Sequence, residues 1–279
     1  MTKYLTEENS VDTVLERMGA GTDKRLLQVM GSLIKHLHGF VKEVELSEAE
    51  WKIAIDFLTR TGQICSDQRQ EYILLSDVLG VSMLVDAINH RRPSGATENT
   101  VFGPFHVDGA PELNMGANIN LDGKGELCLY EGFVLDLEGR PIANAYVDVW
   151  SDNDEGFYDV QQPDIQPAFN NRGKFRTGLD GRYSFIGIKP VSYPIPNDGP
   201  VGKMLERLER HPYRPAHVHF LVGAEGHDRL CTHIFVAGDT YLESDSVFGV
   251  KDSLIANFRS VEGASTKWKA EFNFVLKAS

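Results

Sequence analysis

Three observations predict an α+β protein, with a helical amino-terminal region followed by a mainly antiparallel β-sandwich. The apolar period is helical over residues 10 to 90, and it changes to two after about Gly103. The second stretch is also cut into short pieces by Gly and Pro turns, the signature of many short strands. The expected division is residues 1–103 and 104–279, and 279 residues suffice to bury a substantial core.

In the helical part, Leu26, Leu27, Met30, Leu33, Ile34 and Leu37 follow the i, i+3, i+4, i+7 spacing of one helix face. Ser47-Glu48-Ala49-Glu50 is a capping box, in which the hydroxyl takes the fourth residue's amide while Glu50 reaches back. Trp51, Ile53, Ala54, Phe57 and Leu58 are expected to supply the buried stripe of the helix it starts. A further helix is expected from near Asp67 to Val78, closed at Gly80, and another carries Met83, Leu84, Ala87 and Ile88 before Pro93 and Gly95 break it.

In the second part, residues 127–136 and 145–150 read as strands joined through Glu138-Gly139-Arg140-Pro141. Residues 175–178 and 182–185 flank Asp180-Gly181, a strong hairpin signal. A short helix over residues 204–209 precedes Arg214-Pro215-Ala216-His217-Val218-His219-Phe220, and residues 229–236 read as the return strand. Residues 268–274 alternate as a last strand.

Composition narrows the partners. Lys+Arg 28 against Asp+Glu 40 gives a net charge of −12, which argues against nucleic acid and anionic membrane surfaces. The first residues lack the apolar core of a signal peptide, and no run approaches a membrane span. Cys65, Cys128 and Cys231 are too few and scattered for a disulfide framework or a thiolate metal site, so a reducing cytoplasm is expected.

The chemistry centres on His217 and His219. Strand side chains alternate, so the two imidazoles, roughly 7 Å apart along the backbone, share one face and can converge on one metal. No carboxylate or thiolate of the kind a zinc hydrolase would use stands beside them. Two tyrosines are placed oddly. Tyr158 ends a polar loop leaving the Trp150 strand, and Tyr193 sits among Pro190, Pro194 and Pro196, which hold the backbone extended.

Asp148-Val149-Trp150, Tyr158, the Pro-flanked Tyr193 and the Arg214–His219 segment together resemble the intradiol ring-cleavage dioxygenases. The resemblance covers both halves of the chain, and residues 241–251 are most similar to members acting on hydroxyquinol. His233 stands where catechol-cleaving members usually carry Gln. The resemblance implies one Fe(III) per subunit held by Tyr158, Tyr193, His217 and His219, with Tyr193 doubling as general base and Arg214 stabilising developing negative charge. It implies a substrate pocket of Leu74, Asp77, Val101, Phe102, Gly103, Pro104, Phe105, Ile195, Pro196 and Val247. Its substrates would be O2 and a small aromatic diol or triol, either hydroxyquinol or a catechol or chlorocatechol. It also implies a homodimer through the amino-terminal helices, with a phospholipid-like amphiphile in a tunnel at the junction and no insertion into the membrane. A non-catalytic transthyretin-like binding module would share the 131–150 pattern but lack the tyrosine–histidine set and the helices.

Overall fold

The computed structural model describes residues 4–66, 69–263 and 265–279. The chain divides into two compact units, Met1–Gln63 and Ile64–Ser279. This boundary lies well before the change of period at residue 103. The reason is local: the helix Glu71–Val78 packs on the helix Pro200–Arg207 of the β-rich unit, and the buried Glu71 accepts the Val201 amide at 3.1 Å.

The first unit holds α1 (Ser10–Leu15), α2 (Lys24–Glu43) and α3 (Glu48–Gln63). Asp23 caps α2 by accepting the Leu26 amide at 2.9 Å. The capping box at α3 forms as expected: Glu50 accepts the Ser47 amide at 2.9 Å, and the Ser47 hydroxyl accepts the Glu50 amide. The expected burial does not follow. Trp51 and Ile53 are 57% and 60% exposed, Leu58 is exposed, and of the α2 stripe only Ile34 is buried. Three helices alone leave too little facing surface to cover both stripes, so much of the apolar surface stays outward.

The second unit opens with α4 (Glu71–Val78) and α5 (Val81–Asn89), parted by Gly80 at φ +73°. Asp67, where α4 was expected to begin, lies outside the described residues. Its strands are β1 (Leu127–Leu135), β2 (Tyr146–Trp150), β3 (Arg172–Arg176), β4 (Arg182–Ile188) and β5 (Tyr193–Pro194). After α6 (Pro200–Arg207) come β6 (Tyr213–Arg214), β7 (His217–Gly223), β8 (Leu230–Val236), β9 (Ile255–Ala256), β10 (Phe258–Ser260), β11 (Trp268–Glu271) and β12 (Phe274–Val275). One sheet runs β10-β11-β1-β12 with β4 also on β1, the other runs β3-β2-β7-β8-β9, and β5 pairs with β6 alone.

The antiparallel character holds for most strand pairs but not all, and the last strand and the hairpin are corrected. The sheets are mixed, because β11 and β12 lie parallel to β1 and β9 parallel to β8. The last strand is broken where Gly132 approaches Phe272 so closely that a Cβ would overlap its carbonyl. The Asp180-Gly181 turn is tight, with Gly181 at φ +73°, yet it makes no hairpin. β3 pairs with β2 and β4 with β1, so the turn carries the chain from one sheet to the other. A turn signal fixes the reversal, and the partner strands decide the rest.

Both sheets feed one core. Cys128, Tyr130 and Val134 of β1 and Tyr183 and Phe185 of β4 meet Val147, Val149, Val218, Phe220 and Val222 from the other sheet. Period two then fixes what faces away: Trp150 of β2 and His217 and His219 of β7 emerge on the opposite side. Among the described residues no helix is long and apolar enough to cross a membrane.

Candidate active site

The far side of the β2–β7–β8 sheet is buried too. Register aligns Trp150, His219 and His233 across the three strands. Their rings pack in that order: Trp150 stacks on His219 at 4.8 Å between centroids, and His233 meets His219 edge-on at 3.9 Å. On the free side, Gly103 comes so near that a Cβ would lie 2.9 Å from His219 Cε1. His219 therefore sits in a slot between indole and backbone.

His217 is oriented by a hydrogen bond. Its Nδ1 donates to the Pro215 carbonyl at 2.7 Å, which leaves Nε2 with a bare lone pair. That nitrogen lies 3.2 Å from His219 Nε2, 3.4 Å from the Tyr193 hydroxyl and 3.1 Å from Arg214 Nη1. The Tyr158 hydroxyl is 3.3 Å from that of Tyr193. The four residues expected to hold a metal thus converge, and all are buried.

Neighbouring residues explain how the loops arrive. Gly156 lets the Tyr158 loop cross Tyr193, where a Cβ would come within 2.7 Å of the tyrosine's own. Asp159 accepts from Arg172 Nε at 2.7 Å inside the protein, and this ion pair fixes the segment after Tyr158. Asp239 accepts from the Ser192 hydroxyl and the Ala216 amide, pinning the residues just before Tyr193 and His217. β5 and β6 align Tyr193 with Arg214.

Burial sets the charges. It pushes His217 down to about 3, with Arg214 adding to the shift, and holds His219 and His233 well below the ordinary imidazole range. It also raises the phenols of Tyr158 and Tyr193, although Arg214 opposes this at Tyr193. Arg214 remains charged: burial works against it, but Asp245 and the two tyrosines hold its pKa above the usual value. The centre therefore offers neutral nitrogens and reluctant phenols around one guanidinium.

A cleft of about 300 Å³ is lined by Leu74, Asp77, Pro104, Phe105 and Pro196, with Arg69, Gln70, Glu71 and Ile73. Phe105 joins it to the centre by stacking on Tyr158 at 4.6 Å. Five of the ten expected pocket residues are thus brought together. Val101, Phe102, Gly103, Ile195 and Val247 do not line it. Phe102 instead packs on His106 and Trp150, Gly103 backs His219, and Ile195 and Val247 are buried. Asp77 faces this cleft, and burial raises its pKa.

Comparison with known proteins decides the family. Residues 23–97 match the family described as catechol dioxygenase N terminus, and residues 101–278 match the one described as dioxygenase. The chain is 57% identical to the hydroxyquinol 1,2-dioxygenase of Rhizobium sp. (strain MTP-10005), over 98% of this chain and 96% of that one. The chain belongs to the intradiol ring-cleavage dioxygenases. Two solved structures agree with this dioxygenase over nearly their whole length. Hydroxyquinol 1,2-dioxygenase from Pseudomonas putida DLL-E4 superimposes with a TM-score of 0.93 at 47% identity, covering 98% of this chain and 99% of that one. Catechol 1,2-dioxygenase from Pseudomonas arvilla C-1 gives 0.84 at 31%, covering 96% and 90%. The match includes the helices, which sets the binding-module reading aside. Membership implies a non-haem iron, and the buried cluster of His217, His219 and His233 is compatible with one.

Proposed function

We propose that this dioxygenase opens the ring of hydroxyquinol (benzene-1,2,4-triol) with O2 between the two adjacent hydroxyl-bearing carbons, giving 3-hydroxy-cis,cis-muconate, the enol form of maleylacetate. The observation that carries the substrate is Asp77, a half-buried carboxyl in the cleft beside Leu74, Pro104 and Phe105. A third ring hydroxyl can hydrogen-bond to it, and a diol lacking that hydroxyl forgoes this bond. The strong likeness to enzymes named for hydroxyquinol supports the same reading.

The donor set fits ferric iron. Two phenol oxygens and two imidazole nitrogens converge, with the acceptor Nε2 of His217 3.2 Å from that of His219 and 3.4 Å from the Tyr193 hydroxyl. Oxygen-rich anionic ligation suits a hard trivalent ion, and such a charge would overcome the raised phenol pKa values. Tyr158, Tyr193, His217 and His219 would hold one Fe(III) per subunit. His233 packs against the faces of its neighbours, which favours a supporting role. When bound, the ion supplies the electron-accepting centre that makes a chelated diol reactive toward O2.

The chain's own residues do the remaining work. The Tyr193 oxygen would take and hold a proton from a substrate hydroxyl. Arg214 Nη1 offers a fixed donor to negative charge developing on substrate oxygen. Leu74, Pro104, Phe105 and Pro196 would clasp the ring and exclude water from it. We also infer that the two sheets sharing one core form the expected β-sandwich. The outward apolar stripes of α2 and α3 support a homodimer through the amino-terminal helices, and an amphiphile at the junction would lie against the same stripes. The free thiols of Cys128 and Cys231 support a cytoplasmic setting.

The test is kcat/KM for hydroxyquinol and catechol in wild type and Asp77→Ala. A hydrogen bond to a charged group is worth roughly 1.5–3 kcal/mol, so hydroxyquinol should lose about ten- to a hundredfold while catechol changes little. An unchanged ratio would refute the role of Asp77.

A further inference from the structure

Asp245 is 5% exposed and begins the loop that carries Val247. Its two oxygens are fully engaged. Oδ1 accepts from Arg214 Nε at 3.1 Å and from the Val247 amide at 3.2 Å. Oδ2 accepts from Arg214 Nη2 at 3.2 Å and from the Gly249 amide at 2.9 Å. Each oxygen thus joins one guanidinium nitrogen to one loop amide. The third nitrogen, Nη1, is left over, and it is the one that faces His217.

The loop is shaped around this pair. A Cβ on Gly249 would lie 2.9 Å from Arg214 Nη2 and 3.2 Å from Asp245 Oδ2, so only glycine gives the fork its room. The Gly249 carbonyl accepts from Thr100 Oγ1 at 2.9 Å, and the Ser246 carbonyl accepts from Arg210 at 3.0 Å. A bidentate fork fixes the plane of a guanidinium as well as its place, which one point contact cannot do.

We propose that Asp245 is a positioning residue that aims Arg214 Nη1 at the reacting centre and makes the 245–249 loop and the guanidinium move as one piece. A displacement of that loop is then carried directly to the group that meets the developing charge. The inference rests on the proposed role of Arg214 and adds to it a partner and a direction.

The experiment compares iron-loaded wild type, Asp245→Asn, Arg214→Met and the double variant, with kcat and KM for hydroxyquinol. Asp245→Asn should lower kcat about ten- to a hundredfold while KM moves by less than about threefold, because binding groups are untouched. In the Arg214→Met background the same change should cost less than about twofold, since its effect passes through the missing guanidinium. Asp245→Glu keeps the charge and the fold but displaces the fork, and should fall between wild type and Asp245→Asn. A second readout needs no turnover: in metal-free Arg214→Met protein, hydrogen exchange at the Val247 and Gly249 amides should quicken at least about tenfold. Losses that multiply fully in the double variant, or unchanged exchange at both amides, would overturn the proposal alone. An Arg214→Met enzyme with undiminished kcat would overturn both it and the role of Arg214 beneath it.

Discussion

In the β-rich unit Arg214, His217, His219, His233 and Asp245 are at most 5% exposed, whereas in the helical unit Leu33, Leu37, Trp51 and Ile53 are more than half exposed. One region puts polar groups inside and the other puts apolar groups outside. Each is costly as it stands: buried polar groups want partners, and exposed apolar stripes want cover. The difference teaches that each unit is shaped for something besides its own fold. On the proposed function the buried set would hold a cation and meet a diol, and the outward stripes would meet another surface.

The largest effect should come from the helical side of this comparison. Leu33 and Leu37 are one turn apart on α2 and both are outward. Changing both to Lys should turn a dimer into a monomer at micromolar concentration, raising the dissociation constant by roughly a thousandfold or more, with the helical circular dichroism unchanged. Sedimentation equilibrium on both proteins checks it. A wild type that is monomeric, or a double variant still dimeric, would break the reading of these stripes.

A smaller effect sharpens the other side. His217 is fixed by a hydrogen bond to Pro215, but His219 is fixed by packing, with its Nδ1 buried and unpartnered among the described residues. Gly103→Ala places a methyl against that ring and strains a backbone at φ +76°. Overpacking plus strain should cost about 1–3 kcal/mol of stability and weaken iron retention. Thermal melting and metal analysis read the two effects. An unchanged protein by both measures would mean that the slot does not set His219.

The sequence made some of this plain for physical reasons. Strand alternation is local, so the shared side of His217 and His219 could be read from residue spacing, as could the return strand at 230–236. Capping chemistry is equally local, and the Ser47 box was readable. Partnerships across the chain were not. The Asp180-Gly181 turn gave no hint that its two strands belong to different sheets, and the pairing of residues 268–275 with β1 has no local signal for parallel direction. Asp245 stands 31 residues from Arg214, and no spacing joins them. The 241–251 segment is legible only through its similarity to hydroxyquinol-type members, and nothing local marks Asp245 as buried. The Trp51–Leu58 stripe, expected to be buried, is outward because helical period tells which residues share a face and says nothing of whether one chain can cover that face.

The central claim is that Tyr158, Tyr193, His217 and His219 form one ferric centre. Visible absorption of the iron-loaded protein tests it most directly, because phenolate bound to Fe(III) absorbs in the visible by charge transfer. Wild type should be red to purple with one iron per chain, and chelation should remove both the colour and the ring cleavage. Tyr158→Phe and Tyr193→Phe should each weaken or abolish the band. A colourless wild type, or two variants with the full band and normal iron, would contradict the account.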